Sequence, residues 1–516
     1  MSIKFKLLTK PQPKEIPLVF FMFEGDDITT YSLFKFLDKE EQNYLRAIKK
    51  DLAPKEKEAK VLVMPKTRRK VFLVGVCKKP EFSQQKAVLA TRIALGAAKK
   101  EKVKKFAFWV SSWTDAKKTQ DFYETVAVAA EMANFEFIRY KTPPKEGFSF
   151  VEEMQALRDK PARNATHSVA GGPDKNILEG FRRGSIIGEE VNKTRELAST
   201  PGGDMTPRIL AEAARKAALG TGIKVAIFDE KKIRALKMGG VLGVSKGSDE
   251  PPRFIVMEYW GDKKSRRSRG VGIPTKASGP IVLVGKGVTF DTGGLNLKST
   301  DYITDMHMDM SGGAAVIHSI RAAARLKLKK NIVGLIPAVE NMPSGSSYHP
   351  GDVLRTMSGK TIEVLNTDAE GRIILADALS YAKKYNPELV VDVATLTGAA
   401  MSALGQRFTG LFTADKKLEE RFRSLGDATG DFVWPLPLTS DYEEEIKGTF
   451  GDWANLGKTR YGGATTAAVF LWQWAKDYPW VHLDIAPRMT TIEGEYLAKG
   501  AAGAPVRLLT RLLEEF

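Results

Sequence analysis

At 516 residues, 43% of them hydrophobic, the chain is long enough for two domains with real cores. Its single cysteine, Cys77, excludes an internal disulfide and Cys-based zinc centres, and suits a reducing compartment. The net charge of +17 is uneven: 33 Lys and Arg against 21 Asp and Glu in residues 1–165 give +12 and leave +5 for the rest. A basic lobe of this kind either tracks phosphates or simply solvates a surface.

The apolar run 16–23 is too short to span a membrane, and Glu24, Asp26 and Asp27 follow it, so it reads as a strand. No later stretch reaches spanning length. The expectation is a soluble cytoplasmic protein with no membrane partner, in which the sequons at Asn164 and Asn192 carry no meaning. Further apolar runs at 61–64, 71–76 and 106–110 alternate with helical patterns at 31–50, 84–100 and 121–134, which predicts a compact α/β domain. Phe106, Phe108 and Trp109 lie in one of these runs, with Trp113 beyond it, and read as core strand rather than a platform for stacked bases. Residues 160–175, with Pro161, Gly171, Gly172 and Pro173, have linker composition. The boundaries follow: an N-terminal α/β domain over 1–165, a linker and bridging helix over 166–200, and a larger α/β domain over 201–516.

The bridging helix is predicted over 176–197, broken by Ser199-Thr-Pro-Gly-Gly203. A helix at 207–219 and strands at 224–228 and 254–259 come next. Residues 262–280 form a basic loop with Lys263-Lys-Ser-Arg-Arg-Ser-Arg269 inside it, either a surface loop or an anion contact. Strands at 281–284, 332–337, 362–365, 389–393 and 480–484, alternating with helices that include 373–385 and 465–474, predict a mostly parallel central sheet.

The chemistry concentrates at residues 366–372, Asn-Thr-Asp-Ala-Glu-Gly-Arg. On an extended segment Asp368 and Glu370 would point the same way. Carboxylates this close raise each other's pKa unless a cation neutralises them. Taken alone, the stretch is either a cation site or an acidic helix start. Upstream, a strand runs into Lys286 and Asp291, and Lys298 and Asp309 follow, Asp309 just before a helix that starts near Gly312. Four carboxylates and two lysines thus fall at strand ends and helix starts, where ligands of open α/β sheets bind. Such an oxygen-rich set suits Mn²⁺, Zn²⁺ or Mg²⁺, and two cations about 3.5–4 Å apart would favour hydrolysis. Two other patterns carry less. Gly243-Val-Ser-Lys-Gly247 fits a serine nucleophile motif but leads into Ser248-Asp-Glu-Pro-Pro rather than a helix. The glycines from Gly279 to Gly287 lack the Ser or Thr that a phosphate loop needs after its lysine.

The seven-residue stretch, with Lys286, Asp291, Lys298 and Asp309 in order before it, resembles the signature of the cytosolic leucyl aminopeptidase family, from about Asn192 to the C-terminus. The resemblance implies a hydrolase that releases N-terminal residues from peptides by a metal-activated hydroxide. Asp291 and Glu370 would bridge two divalent ions, Asp368 would complete one site, and Lys286 and Asp309 the other. Lys298 would stabilise the oxyanion, and Arg372 would hold a bicarbonate serving as general base. Thr395, Leu396 and Gly398 would position the substrate main chain, and Met306 would line the side-chain pocket. A homohexamer is implied too. The sequence departs from the family at Thr200, at His307, where many members have Lys, and at Pro487-Arg488. His307 is either a packed loop residue or a titratable group near the site. The rival reading is nucleic-acid binding by the basic N-terminal lobe, alone or alongside peptidase activity.

Overall fold

The computed structural model describes residues 2–49, 52–109, 119–158, 173–262 and 279–516. The chain forms two compact units. The first comprises Met1–Asn192 and Ile492–Lys499, the second Lys193–Thr491 and Gly500–Phe516.

In the first unit, strands β1 (Lys4–Leu8), β2 (Leu18–Met22), β3 (Ala59–Val63), β4 (Lys70–Gly75), β5 (Lys105–Trp109) and β6 (Glu153–Leu157) form a sheet of order β1-β6-β5-β2-β4-β3. Every pairing is parallel except that of β3 with β4. β2 shows why its run is continuously apolar. Val19 and Phe21 face one core, while Leu18, Phe20 and Met22 face the other. Helices α2 (Gln84–Lys100) and α3 (Gln120–Asn134) cover the first of these faces. The helix expected over 31–50 is only α1 (Lys39–Ile48), because Asp38 caps it in a capping box with Glu41 and the preceding residues make 3-10 turns. β1 and β6 were not anticipated from the sequence. β6 alternates polar and apolar residues over 153–156 yet buries Glu153 and Gln155 as well, so it is not the half-solvated strand that alternation marks. Phe106, Phe108 and Trp109 are core residues, as expected. Trp113 and most of the 160–175 linker lie outside the described residues.

A helix runs where one is predicted over 176–197: α4 (Pro173–Ala198). In the second unit, strands β7 (Lys224–Phe228), β8 (Arg253–Trp260), β9 (Ile281–Gly285), β10 (Gly287–Asp291) and β11 (Asn331–Asn341) come first. β14 (Leu389–Ala394), β15 (Thr409–Phe412), β16 (Val433–Pro435) and β18 (Trp480–Asp484) complete a nine-stranded sheet of order β16-β15-β18-β14-β9-β11-β8-β7, with β10 beside β11. Its centre, β18-β14-β9-β11, is parallel. The strand expected at 362–365 in this sheet needs correcting: β13 (Thr361–Glu363) leaves the main sheet and pairs with β12 (Val353–Arg355) and β17 (Trp453–Ala454). It is too short to cross the core, and Leu365 beyond it is exposed.

The central strands are sandwiched, which explains their unbroken apolar runs. On β9, Ile281 and Leu283 face a core shared with helices α5 (Pro207–Ala218), α9 (Ser311–Arg325) and α14 (Val506–Glu515). Val282 and Val284 face one shared with α7 (Gly239–Ser245), α10 (Glu370–Ala382) and α13 (Gly463–Ala475). On α14, Leu508, Leu509, Leu512 and Leu513 are all fully buried, each contributing about 1.5–3 kcal/mol. Between them come α6 (Glu230–Ala235), α8 (Thr300–Ile303), α11 (Gly398–Leu404) and α12 (Lys416–Thr429). Among the described residues no helix is long and apolar enough to cross a membrane.

Candidate metal centre

The carboxyl ends of the parallel strands converge. β9 ends at Gly285 and hands on Lys286, β10 ends on Asp291, β11 on Asn341, β14 precedes Thr395, and α10 opens with Glu370. Asp368 sits in a turn before α10 rather than on an extended segment, so its alignment with Glu370 comes from the turn and not from strand alternation.

Oxygens of Asp291, Asp309 and Glu370, all buried, lie within 4.8 Å of one another. Lys286 Nζ stands 2.9 Å from Asp309 Oδ2 and 2.8 Å from Glu370 Oε1, and donates to the Thr395 carbonyl at 2.9 Å. Lys298 Nζ is 2.8 Å from Asp291 Oδ2 and pairs with Asp368 Oδ1. Gly371 makes room for Lys286: a Cβ there would come within 2.7 Å of its Nζ. Gly293, with φ +88°, turns the chain back between Asp291 and Lys298 and donates its N–H to Asp291 Oδ1 at 2.9 Å.

Four carboxylates face two ammonium groups, and the electrostatics show the imbalance. Burial, with Glu370 adding to it, pushes Asp291 up to about 6. Burial likewise holds Asp309 well above the carboxylate range, and Asp368 above it. Glu370 goes the other way: burial opposes its charge, but Lys286 and Lys298 outweigh it and keep its pKa low. Burial would lower both lysines, yet the carboxylates around them raise them above the usual range. Arg372, fully buried, is brought down to about 10 by desolvation.

Three of these carboxylate oxygens, Asp309 Oδ2, Asp368 Oδ1 and Glu370 Oε1, are buried and meet lysine ammonium groups, Lys286 for the first and third and Lys298 for the second. Four carboxylates sharing two lysines leave a surplus of negative charge in one place, which a hard cation would neutralise, so the donor set fits divalent ions.

Of the expected substrate residues, Thr395 is buried and donates to Asp309 Oδ1 at 2.6 Å. Leu396 N donates to Asp484 Oδ1 at 3.1 Å, and Gly398 opens α11. Met306 begins the turn that ends beside Asp309. His307 is held locally, its Nδ1 3.3 Å from the Thr304 carbonyl. Arg372 Nη1 donates to the Asn455 carbonyl at 2.9 Å. Sequence reasoning passed over Asn341, whose Nδ2 donates to Asp291 Oδ1 at 2.8 Å and to the Thr367 carbonyl at 2.9 Å. It also passed over Asp484, which accepts Thr397 Oγ1 at 2.7 Å and the N–H groups of Leu396 and Ala486, each at 3.1 Å. Their signal was position alone: a polar residue closing an apolar strand. Ser245 of the Gly-x-Ser-x-Gly stretch is buried in α7 and donates to the Leu242 carbonyl, far from a nucleophile elbow. The basic segment 263–278 lies outside the described residues.

The sequence model of the cytosol aminopeptidase family catalytic domain matches residues 192–510, and that of the family's N-terminal domain matches residues 19–144. The chain belongs to the cytosol aminopeptidase family. It is a metal-dependent aminopeptidase. It is 40% identical over 445 residues to the probable cytosol aminopeptidases of Burkholderia mallei (strain SAVP1) and Burkholderia pseudomallei (strain 668), covering 86% of this chain and 83% of each relative. Among solved structures, the bottromycin maturation enzyme BotP in complex with Mn superposes with a TM-score of 0.81 at 27% identity, over 97% of this chain and 99% of that one. A second BotP structure gives 0.80 over 96% and 98%. Membership of the cytosol aminopeptidase family accounts for the two α/β units with largely parallel sheets and for a buried acidic set suited to divalent metal.

Proposed function

We propose that Asp291, Asp309, Asp368, Glu370 and Lys286 hold two divalent cations, Mn²⁺ or Zn²⁺ with Mg²⁺ as a third candidate, and that the chain uses them to remove N-terminal residues from peptides. The observation that carries this reading is the group of buried carboxylate oxygens of Asp291, Asp309 and Glu370, within 4.8 Å of one another, in a cluster whose carboxylates outnumber its lysines, at the carboxyl ends of the central strands. The complex of BotP with Mn supports it. Bound cations supply Lewis acidity, polarising the scissile carbonyl and acidifying water.

The side chains do the rest. Beside a dication the ammonium form of Lys286 is disfavoured, so it serves as a neutral ligand while its remaining N–H groups keep the Thr395 carbonyl. Lys298, held between Asp291 and Asp368, stays charged and faces the oxyanion. Arg372 would hold a bicarbonate, which would supply a general base at the site. Thr395, Leu396 and Gly398 align the peptide main chain, and Met306 packs against its first side chain. The domain division at 1–165, 166–200 and 201–516, the homohexamer and the cytoplasmic setting belong to the same reading, supported by the family relationship.

The test is hydrolysis of a leucyl amide by purified protein, before and after metal stripping, with Mn²⁺, Zn²⁺ and Mg²⁺ restored one at a time. Activity should vanish and return. A folded, metal-loaded protein that stays inactive across a panel of N-terminal residues would overturn the reading.

A further inference from the structure

We propose that Asn455 is the positioning residue that fixes the turn carrying Asp368 and Glu370, and with it Arg372. The proposal rests on the metal-dependent reading of the site. Asn455 follows β17, and its side chain is fully buried. Its Oδ1 accepts from the N–H groups of Leu365 at 2.8 Å and Asn366 at 3.3 Å. Its Nδ2 donates to the carbonyls of Asn366 at 2.7 Å and Ala369 at 3.3 Å. Two donors and two acceptor positions are all that a primary amide offers, and every one is spent on the same five-residue turn. The main chain of Asn455 works in the same place. Its N–H reaches the Glu363 carbonyl at 3.0 Å, and its carbonyl accepts Arg372 Nη1 at 2.9 Å.

The turn needs such a clamp for two reasons. It has no regular structure of its own, so its inward backbone groups would otherwise lack partners. It also carries the partly exposed Asp368 and leads directly into the buried Glu370, and these like charges repel, which favours an opened turn. Thr367, in the middle of the turn, is tied to Asn296, Gly293, Tyr348 and Asn341. Asn455 is the matching tie to the sheet made by β13 and β17. An aspartate could not replace it: it would lose both donations and add a third negative charge beside Asp368 and Glu370.

The measurement is the dissociation constant of Mn²⁺ from the stripped full-length protein, read by electron paramagnetic resonance of free Mn²⁺, alongside thermal unfolding. Wild type is compared with N455A, N455D and D452A. Asp452 lies on the same edge and accepts from Thr361 N and Oγ1 at 2.7 and 2.9 Å without touching the turn. The expected result is Mn²⁺ affinity weakened about 10- to 100-fold in N455A, at least as much in N455D, and within about twofold of wild type in D452A. N455D keeps the side-chain volume and carries the test where N455A does not fold. Folded Asn455 variants that bind Mn²⁺ like wild type would overturn the proposal, as would an equal loss in D452A, which would point to the sheet as a whole. A wild-type protein that binds no Mn²⁺ would instead overturn the metal reading beneath it.

Discussion

On β14 and β18 Asp392 and His482 are register partners, and their side chains meet: His482 Nδ1 is 2.6 Å from Asp392 Oδ1, and Trp480 Nε1 donates to Oδ2 at 2.6 Å. Both oxygens of that carboxylate are filled by protein groups, deep between the sheet's covering layers. A few residues further along the same strand direction, four carboxylates, Asp291, Asp309, Asp368 and Glu370, share two lysines, Lys286 and Lys298. The two clusters lie on one sheet and share buried acidic side chains, with Asp368 alone of those named partly exposed. They differ in where on the strands they lie. Mid-strand, every neighbour is fixed and a charge must be closed off by its own chain. At the carboxyl ends, loops and helix starts gather four carboxylates around two lysines, and the surplus negative charge is left open to a cation.

Replacing an open carboxylate should therefore hurt activity and spare the fold. Asp309→Asn keeps an acceptor for Thr395 but removes a charge that burial already disfavours. We expect kcat/KM to fall on the order of 10³-fold or more, while urea denaturation of the metal-free protein shows stability equal to or above wild type. A clear loss of metal-free stability would mean that the open cluster is structural after all. The closed pair should respond in reverse. Asp392→Ala strands a buried imidazole and an indole N–H, so unfolding should become easier by about 3–5 kcal/mol. With protein that still folds, kcat/KM should stay within about tenfold of wild type, because Asp392 is bonded to His482 and Trp480 rather than to the carboxylate cluster.

The same contrast explains what could be read from the sequence. The open residues were legible because each ends an apolar strand run or starts a helix, and because Asn366 to Arg372 is a literal signature. The sandwiched strands were legible from their unbroken apolar runs. Asp392 and His482 were not, since a polar residue inside such a run gives no hint of its partner until the register is known. β6 failed similarly: Glu153 is buried because Lys6 on β1 neutralises it at 2.7 Å, a pairing between residues far apart in the chain. The 362–365 run misled in the other direction, because apolar content does not say which sheet a strand joins. Asn455 carries no chemistry of its own and becomes meaningful only when the turn it grips is seen.

A smaller effect separates the clusters by pH. Burial alone would lower the His482 imidazole's pKa, but Asp392 outweighs it and holds it above the ordinary value of 6.5. A histidine raised on folding adds stability that is complete below its unfolded pKa and is lost as pH rises through the folded one. The stability gap between wild type and His482→Phe should thus be widest near pH 5–6, measured by chemical denaturation, and should narrow toward high pH. A gap that widens with pH would show that the imidazole is buried neutral.

The smallest effect belongs to Ser245. The Gly-x-Ser-x-Gly pattern would make it a nucleophile if the chain used serine chemistry, and removing a nucleophile would abolish turnover. In the folded chain its hydroxyl donates to the Leu242 carbonyl at 3.3 Å inside α7. Ser245→Ala removes one weak hydrogen bond within a helix, and alanine is the better helix former. Leucyl-amide hydrolysis should stay within about twofold of wild type, and stability within about 1 kcal/mol. Because the variant leaves both buried clusters untouched, a large loss of activity here, with the fold intact, would move the reaction away from the carboxylates altogether.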